Sequence, residues 1–216
     1  MLKRLALSCA LLLSASMSAV RADENPTYSG PLSASEKSFV STIQADLMQR
    51  FPTADEAVKA GYVRYTNPDD TGAISYANQQ WQSADVKHPS QLWFDKNGKL
   101  LGADYSVLTS SSPQRPQKFG VNPGRWYLFD EHIHYVLKNP SSGAYTYDHY
   151  IMAKDFRAAG GDTAHPSAAD LVKMGKVKSA SSVATVFDFP SLWDLIVWVR
   201  PNPSGAFAVK NPAVKP

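Results

Sequence analysis

The stretch RWYLFDEHIHYVLKNPSSGAYTYDHYIMAK, Arg125 to Lys154, decides the class of fold. Branched and aromatic residues fill two runs on either side of Asn-Pro-Ser-Ser-Gly, the composition and punctuation of an antiparallel strand pair. If Trp126 to Leu137 is one strand, a period of two puts Asp130, His132 and His134 on one face and Phe129, Glu131, Ile133 and Tyr135 on the other. Three of the chain's five histidines lie in this hairpin.

Imidazoles two residues apart on a strand can converge on one cation. A carboxylate two residues earlier completes the three protein ligands of an open site for a divalent metal such as zinc. Hairpin register decides the fourth group. One register sets His149 across from His134 and a register shifted by one sets Asp148 there, and only one of the two can face the site. Without metal, the same residues form a small-molecule pocket in which His132 or His134 serves as general base, oriented by Asp130 or Glu131. A hydrolase or lyase using these histidines, and a structural or interaction protein without any site, stay open beside the binding reading. Gly-x-Ser-x-Gly, His-Glu-x-x-His, the P-loop, the dinucleotide fingerprint and the calcium-loop pattern are all absent from the sequence.

Upstream, Ser33 and Glu36 form a Ser-x-x-Glu capping box, and Phe39, Ile43, Leu47 and Phe51 follow at helical spacing, predicting a helix that stops before Pro52. Thr53 and Glu56 repeat the capping pattern ahead of a short second helix ended by Gly61. The pattern then becomes strand-like: Tyr62 to Tyr65, Ala73 to Tyr76, and two runs flanking Asp-Lys-Asn-Gly at 95–98, where Asn97-Gly98 is a hairpin signal. A serine- and proline-rich loop precedes the histidine hairpin. Downstream, Ser167 and Asp170 cap a short helix over Pro166 to Met174, Ser182 to Phe187 reads as a further helix, and LWDLIVWV reads as a buried strand. Two helices, then hairpins, then short inserted helices predict an α+β fold with a mainly antiparallel sheet in a single domain over 33–216.

The N-terminus has the form of an export signal over residues 1–22: Lys3 and Arg4, an apolar run from Leu5 to Leu13, then Val20-x-Ala22. Residues 23–32 read as a flexible leader. Cleavage after Ala22 removes three of the 22 basic residues and none of the 19 acidic ones, leaving a formally neutral chain with no charge-based case for a nucleic-acid partner. The one cysteine, Cys9, leaves with the signal, which excludes disulfides and thiolate chemistry from the mature chain. The apolar run of this signal is too short to span a bilayer comfortably, and no second such run follows downstream. The expectation is an exported, periplasmic or secreted protein whose partner is a small molecule or a metal ion.

His88-Pro89 and His165-Pro166 read as the starts of turns or helices, the five tryptophans as core, and Arg64 and Arg125 as the charges nearest a pocket. FDEHIHYVLKNP, MAKDFRAAGGD, FDFPSLWDLIVWVRPNPSGAFA and KNPAV, together with FPTADEAVKAGYVRY and LWFDKNGKLLGADYSV, resemble an uncharacterised family of secreted or periplasmic bacterial proteins. The resemblance implies export and one compact domain. Its pattern has histidines where this chain has Ser75 and either Leu195 or Ile196, so it implies no catalytic residues here.

Overall fold

The computed structural model describes residues 25–69, 72–82 and 85–215. Among the described residues, nine strands form two antiparallel sheets flanked by four α-helices, a mixed α+β architecture in which sheet predominates. The export signal expected over residues 1–22 lies outside the described residues.

Helix α1 (Ala34–Arg50) starts where the capping box places it: Ser33 Oγ accepts from the Glu36 N–H, and the Glu36 carboxylate accepts from the Ser33 N–H. Its buried stripe of Val40, Ile43 and Leu47 lies on one face of a six-stranded sheet. Burying each of these side chains contributes about 1.5–3 kcal/mol. Helix α2 (Ala54–Lys59) follows, ended by Gly61 in the left-handed region at φ 88°. Thr53 stands at its N-cap without a capping side-chain bond; its hydroxyl donates to the Glu56 carboxylate instead.

The six-stranded sheet contains β1 (Val63–Arg64), β2 (Ile74–Ala77), β3 (Gln91–Phe94), β4 (Leu100–Leu108), β5 (Tyr127–Phe129) and β9 (Leu192–Trp198), in the order β1-β2-β3-β4-β9-β5. A three-stranded sheet, β7-β6-β8, holds β6 (His132–Lys138), β7 (Tyr145–Met152) and β8 (Val183–Phe189). Alternation sorts the large sheet into two faces. Leu92, Phe94, Ala103, Tyr105, Leu195 and Val197 join the α1 core. The opposite face meets the small sheet, with Ala77 and Leu192 in one cluster with Val136, Phe187 and Phe189. On the outside of the small sheet, Ile133, Tyr135 and Ile151 pack with Phe156 of α3 (Ala153–Ala158) and Leu171 of α4 (Ala168–Lys173).

The expected single strand from Trp126 to Leu137 is divided between the sheets: β5 ends at Phe129 and β6 begins at His132. The pairing nevertheless runs on without a slip. Tyr127 faces Asp194, Phe129 faces Leu192, His132 faces Phe189 and His134 faces Phe187. A long two-stranded ribbon is therefore bent once, at Asp130-Glu131 on one strand and Pro190-Ser191 on the other, and each half belongs to a different sheet. The inward side changes parity at the bend, from Phe129 before it to His132 and His134 after it.

Two further expectations change. Residues 183–189 form a strand rather than a helix, because Val183, Thr185 and Val186 are branched and the run alternates against β6. Ala153 and Lys154, read as the end of a strand, open α3 instead, whose first amide donates to the Glu131 carbonyl. The leader also differs from a loose segment over its described part: the amides of Thr27 and Tyr28 donate to the Gly124 carbonyl, and Arg125 donates to the carbonyls of Gly30 and Pro31. Among the described residues, no helix is long and apolar enough to cross a membrane.

Candidate functional site

Between the sheets lies a cavity of about 290 Å³ lined by side chains of both. β6 supplies His132 and His134, β4 supplies Asp104, β3 supplies Gln91 and Trp93, and Tyr65 closes it just beyond β1. Trp198, Phe129 and Phe189 complete an aromatic lining.

The two imidazoles meet each other. His132 Nε2 lies 3.0 Å from His134 Nε2, and His132 Nδ1 lies 2.6 Å from the Asp130 carbonyl oxygen. Phe187 stacks on His134 and Phe189 on His132, while Tyr65 meets the His134 ring edge-on at 4.6 Å. Burial first, and His132 second, push the His134 pKa down from 6.5 to about 3, so this imidazole is neutral at physiological pH.

Of the residues expected to join them, Asp130 sits at the bend outside β6 and reaches His132 through its backbone carbonyl. The hairpin keeps the expected register that would set His149 opposite His134 only next to its turn, where Leu137 lies across from Thr146 and Lys138 from Tyr145. Tyr150 lies across from His134 and His149 across from Tyr135, because a bulge between Tyr135 and Leu137 absorbs the offset. His149 therefore stacks on Tyr135, 5.0 Å between ring centroids, on the side facing α3 and away from the cavity. Asp148 takes a left-handed φ of 64° in the bulge, and its carboxylate accepts the Asn67 amide at 3.0 and 3.1 Å. Neither His149 nor Asp148 lines the cavity. Among the described residues, no three His, Cys, Asp or Glu side chains gather into a group able to hold a metal. Of the other residues singled out, Trp81 stacks on His88 at 3.9 Å, and Arg125 is buried beside Glu36.

The acidic part of the site is not apparent from motifs. Asp104 and Asp194 are buried on adjacent central strands, 3 % and 0 % exposed. Burial, and then Asp194, raise the Asp104 pKa well above its ordinary 3.8; Asp194 is raised too, by burial, against the pull of a Ser106 hydrogen bond. Asp104 Oδ1 has no hydrogen-bond partner. Asp194 is fully engaged: Ser106 donates to Oδ1, and Gln91 Nε2 lies 3.4 Å from Oδ2 while its Oε1 accepts the Tyr65 hydroxyl.

The serine pair behind the acids fits either charge state. Ser90 Oγ and Ser106 Oγ are 2.5 Å apart, and Ser90 Oγ is 3.1 Å from the Asp104 carbonyl oxygen. With Asp194 neutral, its O–H donates to Ser106, Ser106 to Ser90 and Ser90 to that carbonyl. With Asp194 ionised, Ser106 turns to donate to it and Ser90 donates to Ser106. Each hydroxyl proton has an acceptor in both arrangements.

A signal for these acids does exist in the sequence. LLGADYSVL and LWDLIVWV each set one carboxylate inside an otherwise apolar strand, and a lone acid in such a strand is costly unless it has a task. No family model, curated protein or solved structure matches the chain.

Proposed function

We propose that this chain is an exported binding protein for a small molecule held in the cavity between its two sheets. One observation carries the reading: His132 and His134 from the small sheet and Asp104 from the large one converge on a single aromatic-lined cavity. Most binding sites have this form, an apolar concavity with few polar groups placed to fix orientation. Export rests on the form of residues 1–22, and the mature chain is expected to begin at Asp23, which mass measurement of protein recovered from the native envelope would check.

Saturation-transfer NMR against a set of one- and two-ring fragments, charged and uncharged, tests the pocket. Hits are expected with the native chain and are expected to vanish with Ser75→Trp, which places an indole where Ser75 lines the cavity. An empty screen, or hits that persist in the variant, would refute the reading.

A second reading, a hydrolase or lyase, is favoured by the Asp104 and Asp194 pair. Two neighbouring carboxyls that resist ionising together divide into an acid and a base. Chemical conversion of a bound fragment, followed in the same NMR samples, separates catalysis from binding.

A further inference from the structure

We infer that the ligand of this cavity is a small organic cation, an amine or quaternary ammonium group paired with Asp104 inside a box of aromatic rings. The inference rests on the small-molecule reading above and adds the chemical class.

Charge comes first. Asp69 and Asp104 line the cavity, with Asp194 one strand away; among the described residues no lysine or arginine lines it. Of the two histidines, His134 adds no positive charge, since burial holds it neutral. An anionic ligand would find no lysine or arginine here to pair with.

Asp104 comes second. It is 97 % withdrawn from solvent, and Oδ1 meets no donor in the protein. Trp93 hydrogen-bonds to this carboxyl, but a buried carboxyl oxygen left without a donor still carries a desolvation cost and calls for an explanation from outside the chain. A cationic ligand group supplies the absent donor and the absent countercharge together.

The walls come third. Trp93, Trp198, Phe129, Phe189 and Tyr65 surround the space, and Trp93 and Trp198 lie 5.2 Å apart at 56°, presenting differently angled rings. The negative faces of aromatic rings attract cations, and several rings around one carboxylate make the usual receptor for an alkylammonium group.

A proton accompanies the ligand. Without ligand, burial and the neighbouring Asp194 favour a protonated Asp104, burial raises Asp194 to about 7, and the Ser90-Ser106 pair fits Asp194 in either charge state. A cation favours the carboxylate, so binding expels a proton and tightens as pH rises. The titratable groups facing Asp104 are Asp194 on β9, His132 and His134 on β6, and Tyr65 and Asp69 beyond β1.

The test is calorimetric titration of the purified chain with two charged and uncharged pairs: choline against 3,3-dimethylbutan-1-ol, and 2-phenylethylamine against 2-phenylethanol. At pH 8 a cation should bind about tenfold or more tighter than its neutral partner. The preference should shrink at pH 6, with proton release seen as a dependence of the heat on buffer ionisation enthalpy. Asp104→Asn, which mimics the protonated carboxyl, should abolish the preference. The buffer series needs no variant, so the inference stays testable if Asp104→Asn does not fold. Equal or tighter binding of the neutral partners overturns the cation and leaves the small-molecule reading standing. So does failure of both pairs alongside fragment hits that Ser75→Trp removes. Failure of both pairs with no such hits overturns both readings, and a cation preference unchanged in Asp104→Asn overturns the role of Asp104.

Discussion

Glu36 Oε1 and Arg125 Nε meet at 2.6 Å, with only 2 % and 5 % of their side chains exposed, and so tie the start of α1 to the turn before β5. Burial pushes the Glu36 carboxyl up, but Arg125 and the amides of Ser33 and Asn122 outweigh it and hold the pKa at about 2. Arg125→Met leaves the carboxylate buried and unpaired, an expected loss of about 3–5 kcal/mol in urea unfolding. Adding Glu36→Gln should recover part of that loss. Because the folded pKa lies below the ordinary 4.5, this pair stabilises fully above pH 4.5 and progressively less as pH falls toward 2.

Asp104 titrates in the opposite sense. Its folded pKa stands above the ordinary 3.8, so the folded state keeps a proton that the unfolded chain has released. The resulting stability is complete below pH 3.8 and is lost as pH rises toward the folded value. Urea midpoints of Asp104→Asn should show a shallower decline than the native chain on the alkaline side. A parallel decline would mean that Asp104 is not the group responsible.

His134 gives an acid-side slope. With its pKa moved from 6.5 to about 3, its contribution is fully present above pH 6.5 and is lost as pH drops toward 3. His134→Phe, in a site already packed by Phe187, Tyr65 and Phe189, should flatten that slope. At pH 7 the exchange should cost about 1 kcal/mol, through loss of the bond to His132.

Gly102 is a packing requirement. A Cβ there would lie 2.8 Å from the Val197 carbonyl oxygen and 3.1 Å from the Trp93 ring. Backbone in a central ladder yields little, so Gly102→Ala should destabilise by about 1–3 kcal/mol and shift tryptophan emission as Trp93 and Trp198 rearrange. An unchanged midpoint would show that the β4 and β9 ladder gives way easily.

The helix start at Ser33, the Asn97-Gly98 hairpin, the histidine hairpin and the strand LWDLIVWV were legible because caps, turns and periodicity are local. Placement of Asp130 and His149 was not. The first depends on a bend that interrupts a strand without shifting its register, and the second on a bulge that sequence alternation cannot reveal. Asp104 and Asp194 showed a local anomaly, but their common environment exists only once β4 and β9 are neighbours and a second sheet covers them. The helix expected over Ser182 to Phe187 lost to pairing with β6, a partner some fifty positions earlier in the chain.

The bent ribbon makes the molecule behave like a bound book. Asp130-Glu131 and Pro190-Ser191 form its spine, where two backbone segments cross together from one sheet to the other in the same register. The opposite edge is held by a clasp at Asp148, whose amide donates to the Tyr65 carbonyl and whose carboxylate receives Asn67. Tyr65, which lines the cavity, is thereby fastened through its own backbone to the bulge of β7.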